Sequence, residues 1–174
     1  RRLIEGLRSP DRALVPAADA VRLLGLRMPA DAFPVLQELL ARPPDEETRI
    51  EAIHHLGAHP PSRDALIAVL QDEEETPEAR EAALGALHAN VPQSLPEIVT
   101  PVLRDEGATD RLKVRAMKAV QWHRLSSAQE ARMEGLEEFD AAVRAMAEES
   151  RSEEVRECAR EYLGTVKSAE PPGS

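Results

Sequence analysis

The feature that most constrains this chain is an internal repeat. Take Leu14, Arg49, Arg80, Lys113 and Arg156 as anchors. Three residues on stand Ala17, Ala52, Ala83, Ala116 and Ala159, and seven on stand Val21, Leu56, Leu87, Val120 and Leu163. One residue before the anchors come Ala13, Thr48, Ala79, Leu112 and Val155; six after them come Ala20, His55, Ala86, Ala119 and Tyr162. Side chains three and four apart share one face of an α-helix, so these columns describe a first helix recurring five times. The anchors lie 35, 31, 33 and 43 residues apart, the spacing of a helix–turn–helix unit with one insertion near the end.

Start signals precede each recurrence: Ser9-Pro10-Asp11, Pro44-Asp45-Glu46, Thr76-Pro77-Glu78, Thr109-Asp110 and Ser152-Glu153-Glu154. A capping oxygen, an early proline or early acids suit the unpaired amides and the positive end of a helix. Between the first helices lie second apolar segments, Ala32 to Leu40, Asp64 to Leu70, Leu95 to Leu103 and Phe139 to Met146. In the insertion, Ser127 and Glu130 have capping-box spacing, which predicts a second helix running from about Ser127 to Glu149 with Gly135 as its weak point. The expected architecture is all-α, an α-solenoid of stacked antiparallel helical hairpins. Each second helix is expected to pair with its own first helix.

Composition fits tight helix packing. Apolar residues make up 42% of the 174, yet Phe33, Phe139, Trp122 and Tyr162 are the only aromatics, so small side chains must fill the interior. The net charge of −10 is uneven: residues 1–44 carry +2, residues 45–106 carry −10 and residues 107–174 carry −2. An acidic centre repels phosphates, so nucleic acid is excluded as a partner. Cys158 is the sole cysteine and reads as a packing residue, with no disulfide and no Cys-based metal site. No apolar run reaches the ~20 residues that span a bilayer, and membrane insertion is not expected. The chain opens at Arg1 without Met, and Arg1 to Arg8 reads like a helix entered midway, so a fragment of a longer protein is expected. Lys167 to Ser174 reads as a flexible tail.

The segment Glu78-Ala79-Arg80-Glu81-Ala82-Ala83-Leu84-Gly85-Ala86-Leu87, echoed by Glu154-Val155-Arg156-Glu157-Cys158-Ala159, resembles the first helix of bacterial HEAT repeats, an armadillo-like architecture. Pro16 is similar to the internal proline that bends first helices in that family, since a proline removes one amide donor. The resemblance implies a HEAT-like domain over residues 1–166, of about four hairpins plus a terminal helix, with 167–174 as the tail. It implies protein binding or scaffolding and leaves the partner open.

Candidate chemistry is sparse. The basic anchors Arg49, Arg80, Lys113 and Arg156 form a stripe expected to pair with acids of the neighbouring hairpin. His55 and His59, four apart, suggest a two-point metal site, but the stacked positions Ala20, Ala86, Leu24 and Asn90 supply no usual zinc ligand. His59 and His123 are instead expected to hydrogen-bond the last carbonyls of their helices. Among enzymes similar in architecture, deoxyhypusine hydroxylases use His-Glu pairs to hold iron, and no histidine here is followed by glutamate. Alkylpurine DNA glycosylases need a basic, aromatic-lined cleft, and phycobilin lyases need a tetrapyrrole pocket; neither matches this composition. No cofactor, metal or catalytic residue is expected.

What remains is surface. Gln37, Glu38, Gln71, Thr100, Arg104 and Arg144 lie just off the apolar stripe of the second helices and are expected to form a protein-binding face. The expected partner is another protein, or another domain of the same chain, in the cytoplasm. A purely structural spacer is the alternative, and a metal-dependent or small-molecule enzyme comes third.

Overall fold

The structure is a computed structural model that describes residues 1–126 and 133–169. Among the described residues it is all-α, with ten α-helices and no strand. In chain order they are α1 (Arg2–Arg8), α2 (Ala17–Gly25), α3 (Phe33–Ala41), α4 (Glu46–Leu56) and α5 (Arg63–Gln71). There follow α6 (Pro77–His88), α7 (Leu95–Arg104), α8 (Asp110–Ser126), α9 (Leu136–Glu149) and α10 (Glu153–Ala169). Even-numbered helices are the first helices of the repeat, and α3, α5, α7 and α9 are the second helices.

The helices fall into two compact units. One comprises Arg1–Leu70 with Glu78–Asn90, the other Gln71–Pro77 with Val91–Ser174. In the first unit α1 packs on α2 and α3, while α4 packs on both α2 and α3. In the second, α7 packs on α8 and α9, and α10 packs on the same two helices. The second helices α3, α7 and α9 thus each pack on the first helix that follows them, α4, α8 and α10, where the sequence suggested pairing with their own.

The repeat columns explain this packing. Ala52, Ala83, Ala116 and Ala159 are all fully buried, as are Thr48, Ala79 and Val155 one position before the anchors. Side chains this small let helix backbones approach closely, and the larger Leu56, Leu87 and Val120 then close the interior. At Gly57, beyond the end of α4, an added Cβ would stand 3.0 Å from the Cβ of Ala86. Four of the five start signals operate as expected. Asp45 accepts a hydrogen bond from the Thr48 amide at 2.7 Å, and Thr109 and Ser152 accept from the amides of Leu112 and Val155. Proline opens α6 at Pro77.

The first repeat departs from the pattern. Pro10–Arg12 form a single 3-10 turn and α2 begins only at Ala17, with Pro16 just before it. Pro16 thus starts a helix instead of bending one, which spares the hydrogen bond an internal proline would remove. Gly135 likewise is a boundary and not a weak point: with φ of 71° it sits in the left-handed region immediately before α9. A Cβ there would also stand 2.9 Å from the backbone of Glu97, so space and conformation both demand glycine. The expected capping pair Ser127 and Glu130 lies outside the described residues. At the C-terminal end, α10 continues to Ala169, three residues past the expected boundary at 166.

Candidate functional site: a groove between α1 and α3

Of the six residues expected to form a binding face, three join successive second-helix segments. Gln37 donates to Oγ of the buried Ser62 at 3.1 Å, Gln71 donates to the Ile98 carbonyl at 2.9 Å, and Arg104 pairs with Glu138 at 2.8 Å. Thr100 requires correction. It is 3% exposed, and its hydroxyl donates to the Pro96 carbonyl one turn back at 2.7 Å, so it faces the interior and not a partner. The short hydroxyl-bearing side chain satisfies itself on its own helix beside Pro101, which lets it be buried without a distant partner. Glu38 and Arg144 are exposed.

Three of the basic anchors, Arg49, Arg80 and Arg156, have a task beyond pairing with acids, since each donates to a backbone carbonyl. Arg49 donates Nε to the carbonyl of Leu40 at 3.1 Å, and Arg80 does the same to Leu70 at 2.9 Å. Arg156 reaches the carbonyl of Ser150, just past α9, and also pairs with Glu153. In each case the guanidinium reaches back to a carbonyl in the last turn, or just past the end, of the preceding second helix. Those carbonyls have no partner within their own helix, and the negative end of the helix dipole favours a cation there.

The histidines do not converge. Helix α4 ends at Leu56, so His59 has left the helix and the spacing of four no longer places it beside His55. His59 stacks on Phe33 with ring centroids 4.2 Å apart, and its Nδ1 hydrogen-bonds Ser62 Oγ at 2.8 Å, not the helix carbonyls. His55 lies against Gly25, where a Cβ would come within 2.0 Å of the ring. Burial lowers the His55 pKa, Glu51 opposes this, and His54 adds to the lowering. Among the described residues, no three His, Cys, Asp or Glu side chains are grouped to hold a metal ion. Cys158 is buried and burial raises its pKa, opposing the reactive thiolate.

One polar cluster in the second unit is buried. The Tyr162 hydroxyl donates to Asp140 Oδ1 at 2.7 Å, and Arg124 Nη1 reaches both the Tyr162 oxygen at 3.0 Å and Asp140 at 3.2 Å. Burial raises the Tyr162 pKa and Asp140 raises it further. Every member has a partner inside the cluster, so it ties α8, α9 and α10 together.

Two adjoining concave features lie in the first unit. A groove of about 960 Å³ runs between α1 and α3, with Leu7, Val35 and Leu39 as apolar wall and Arg8, Gln37, Glu38 and Arg42 as polar lining. A second cavity of about 400 Å³ adjoins it, sharing Leu7, Arg8, Leu39 and Arg42 and reaching under Leu14. Only Gln37 and Glu38 of the expected face belong here. Sequence reasoning missed Arg8, Leu14 and Arg42, although Leu14 was visible as the one apolar residue in an otherwise basic column.

Helical hairpins repeating along the chain define an α-helical repeat protein. The family of HEAT repeats matches residues 1–88, half of the chain, and this chain belongs to that family. HEAT repeats generally serve as protein-interaction scaffolds. No curated protein and no solved structure matches the chain. Among the described residues no helix is long and apolar enough to cross a membrane.

Proposed function

We propose that the chain is a non-catalytic protein-docking module of cytoplasmic proteins, and that its docking surface is the groove between α1 and α3. The observation that carries this reading is the groove itself, an open apolar trough with polar groups of both signs along its rim. Such a surface suits an extended or helical segment of another protein, whose apolar side chains seat in the trough while its polar groups meet the rim. Gln71 and Arg104 are already engaged between helices, so the second unit offers less free polar surface at the positions expected from sequence.

A peptide-display selection on the immobilised chain tests this. Selected peptides are expected to lose about tenfold or more in affinity for Glu38→Trp, which obstructs the groove, and to retain affinity for Arg144→Trp. Selection of no binding peptide favours a spacer. Loss at Arg144 with binding intact at Glu38 moves the docking surface to the second unit.

A further inference from the structure

The cavity lined by Leu14 lies where the repeat departs from its pattern. In three later repeats an arginine at the anchor position lies back across the end of the preceding second helix: Arg49 over Leu40, Arg80 over Leu70 and Arg156 over Ser150. In the first repeat the anchor is Leu14, which has no group to offer a carbonyl and stands 68% exposed. Pro16 delays α2 to Ala17, so the residues that continue the first helix elsewhere form an irregular wall at Ala13 to Pro16. Leu14 and this irregular wall line a cavity of about 400 Å³.

The walls are mostly apolar, and the polar side chains at this cavity are Arg8 and Arg42, with no carboxylate among the lining residues. In a chain of net charge −10 that is a local reversal of sign. Neither guanidinium has a side-chain ion pair among the described residues, whereas Arg22 on neighbouring α2 is engaged by Asp19, Glu47 and Glu51. An apolar hole with two uncommitted arginines beside it complements a bulky apolar side chain carried next to carboxylates.

We infer that this cavity is the anchor pocket for the docked segment, taking a leucine or aromatic side chain of a partner protein while Arg8 and Arg42 engage acidic residues flanking it. The inference rests on the docking reading above and adds to it the partner's chemistry: an acidic segment with an apolar anchor. Glu38 lines only the adjoining groove, so the acidic residues sit toward α1 and the connection after α3, away from Glu38.

The test uses a fluorescein-labelled peptide with a central Leu-Phe pair flanked by glutamates, read by anisotropy against the full chain. Its controls replace the glutamates by lysines or the Leu-Phe pair by serines. The glutamate peptide is expected to bind at least tenfold more tightly than either control. Leu14→Arg restores the anchor of the other repeats; it is expected to fill the cavity, keep or raise the melting temperature, and weaken binding tenfold or more. Because that substitution adds positive charge, loss of an acidic peptide cannot come from bulk electrostatics. Arg8→Gln with Arg42→Gln is expected to abolish the preference for glutamate over lysine. Undiminished binding to a folded Leu14→Arg chain overturns the inference, as does equal binding of the glutamate and lysine peptides or no binding of the glutamate peptide to the unsubstituted chain. The groove reading survives each of those results if display-selected peptides still respond to Glu38→Trp.

Discussion

Arg80→Met measures what a basic anchor contributes to the fold. Arg80 is 4% exposed and its Nε donates to the Leu70 carbonyl at 2.9 Å, in the last turn of α5. Methionine keeps most of the apolar stem and removes the guanidinium, so the change isolates the polar contact from loss of packing. A hydrogen bond from a charged group contributes about 1.5–3 kcal/mol, and the carbonyl left behind is buried near a helix end with no helical partner. We expect a loss of about 2–3 kcal/mol in urea unfolding, with the midpoint lowered and the slope unchanged. For a chain of this size, that is a fall in melting temperature of roughly 4–12 °C. Arg49→Met should cost less, because Arg49 is only half-buried and its longer bond to Leu40 is more easily replaced by water. A loss below about 0.5 kcal/mol at Arg80, the range of ordinary surface changes, would refute the capping role and return the stripe to consideration as a ligand site.

Ala83→Leu and Ala116→Leu should each cost about 1–3 kcal/mol by overpacking a closed interior, while Lys118→Leu, exposed on the same helix as Ala116, should change urea stability by less than about 0.5 kcal/mol. Tyr162→Phe should cost about 1.5–3 kcal/mol, because it deletes a buried hydrogen bond to the Asp140 carboxylate while leaving the ring in place; a thermal melt matching the parent would show that Arg124 alone satisfies Asp140. Because burial lowers the His55 pKa, the unfolded chain takes up that proton first as pH falls below about 6.5, its ordinary value. Stability should therefore decline as pH falls from about 6.5 through the lowered folded value, and urea midpoints of His55→Gln should lack that decline.

The first helices from α4 onward were legible because each carries its own local signals, a capping oxygen or proline, a buried alanine and a periodic aliphatic face. What escaped was set by neighbours and not by local pattern. Thr100 reads as an outward residue by position, yet the same residue type can bond its own helix and be buried. His59 follows His55 at helical spacing, but Gly57 and Pro60 end the helix between α4 and the next 3-10 turn, which breaks the geometry. Gly135 looked like a fault within a helix because nothing local announces that Glu97 crowds it. The arginine column was visible, but its targets include backbone carbonyls, which no sequence pattern displays. Leu14 was the informative exception in that column. Its meaning emerged only once Arg49, Arg80 and Arg156 were seen to bond the preceding second helix, which a leucine cannot do.

Hydrogen exchange of the full chain, with and without a display-selected peptide, reads out whether this HEAT-repeat chain docks a protein segment between α1 and α3. Docking in the groove is expected to slow exchange in residues 3–8 and 34–42 when peptide is added, with α8 and α10 unchanged. Slowing confined to the second unit, or no slowing anywhere at a peptide concentration that saturates binding, would contradict it.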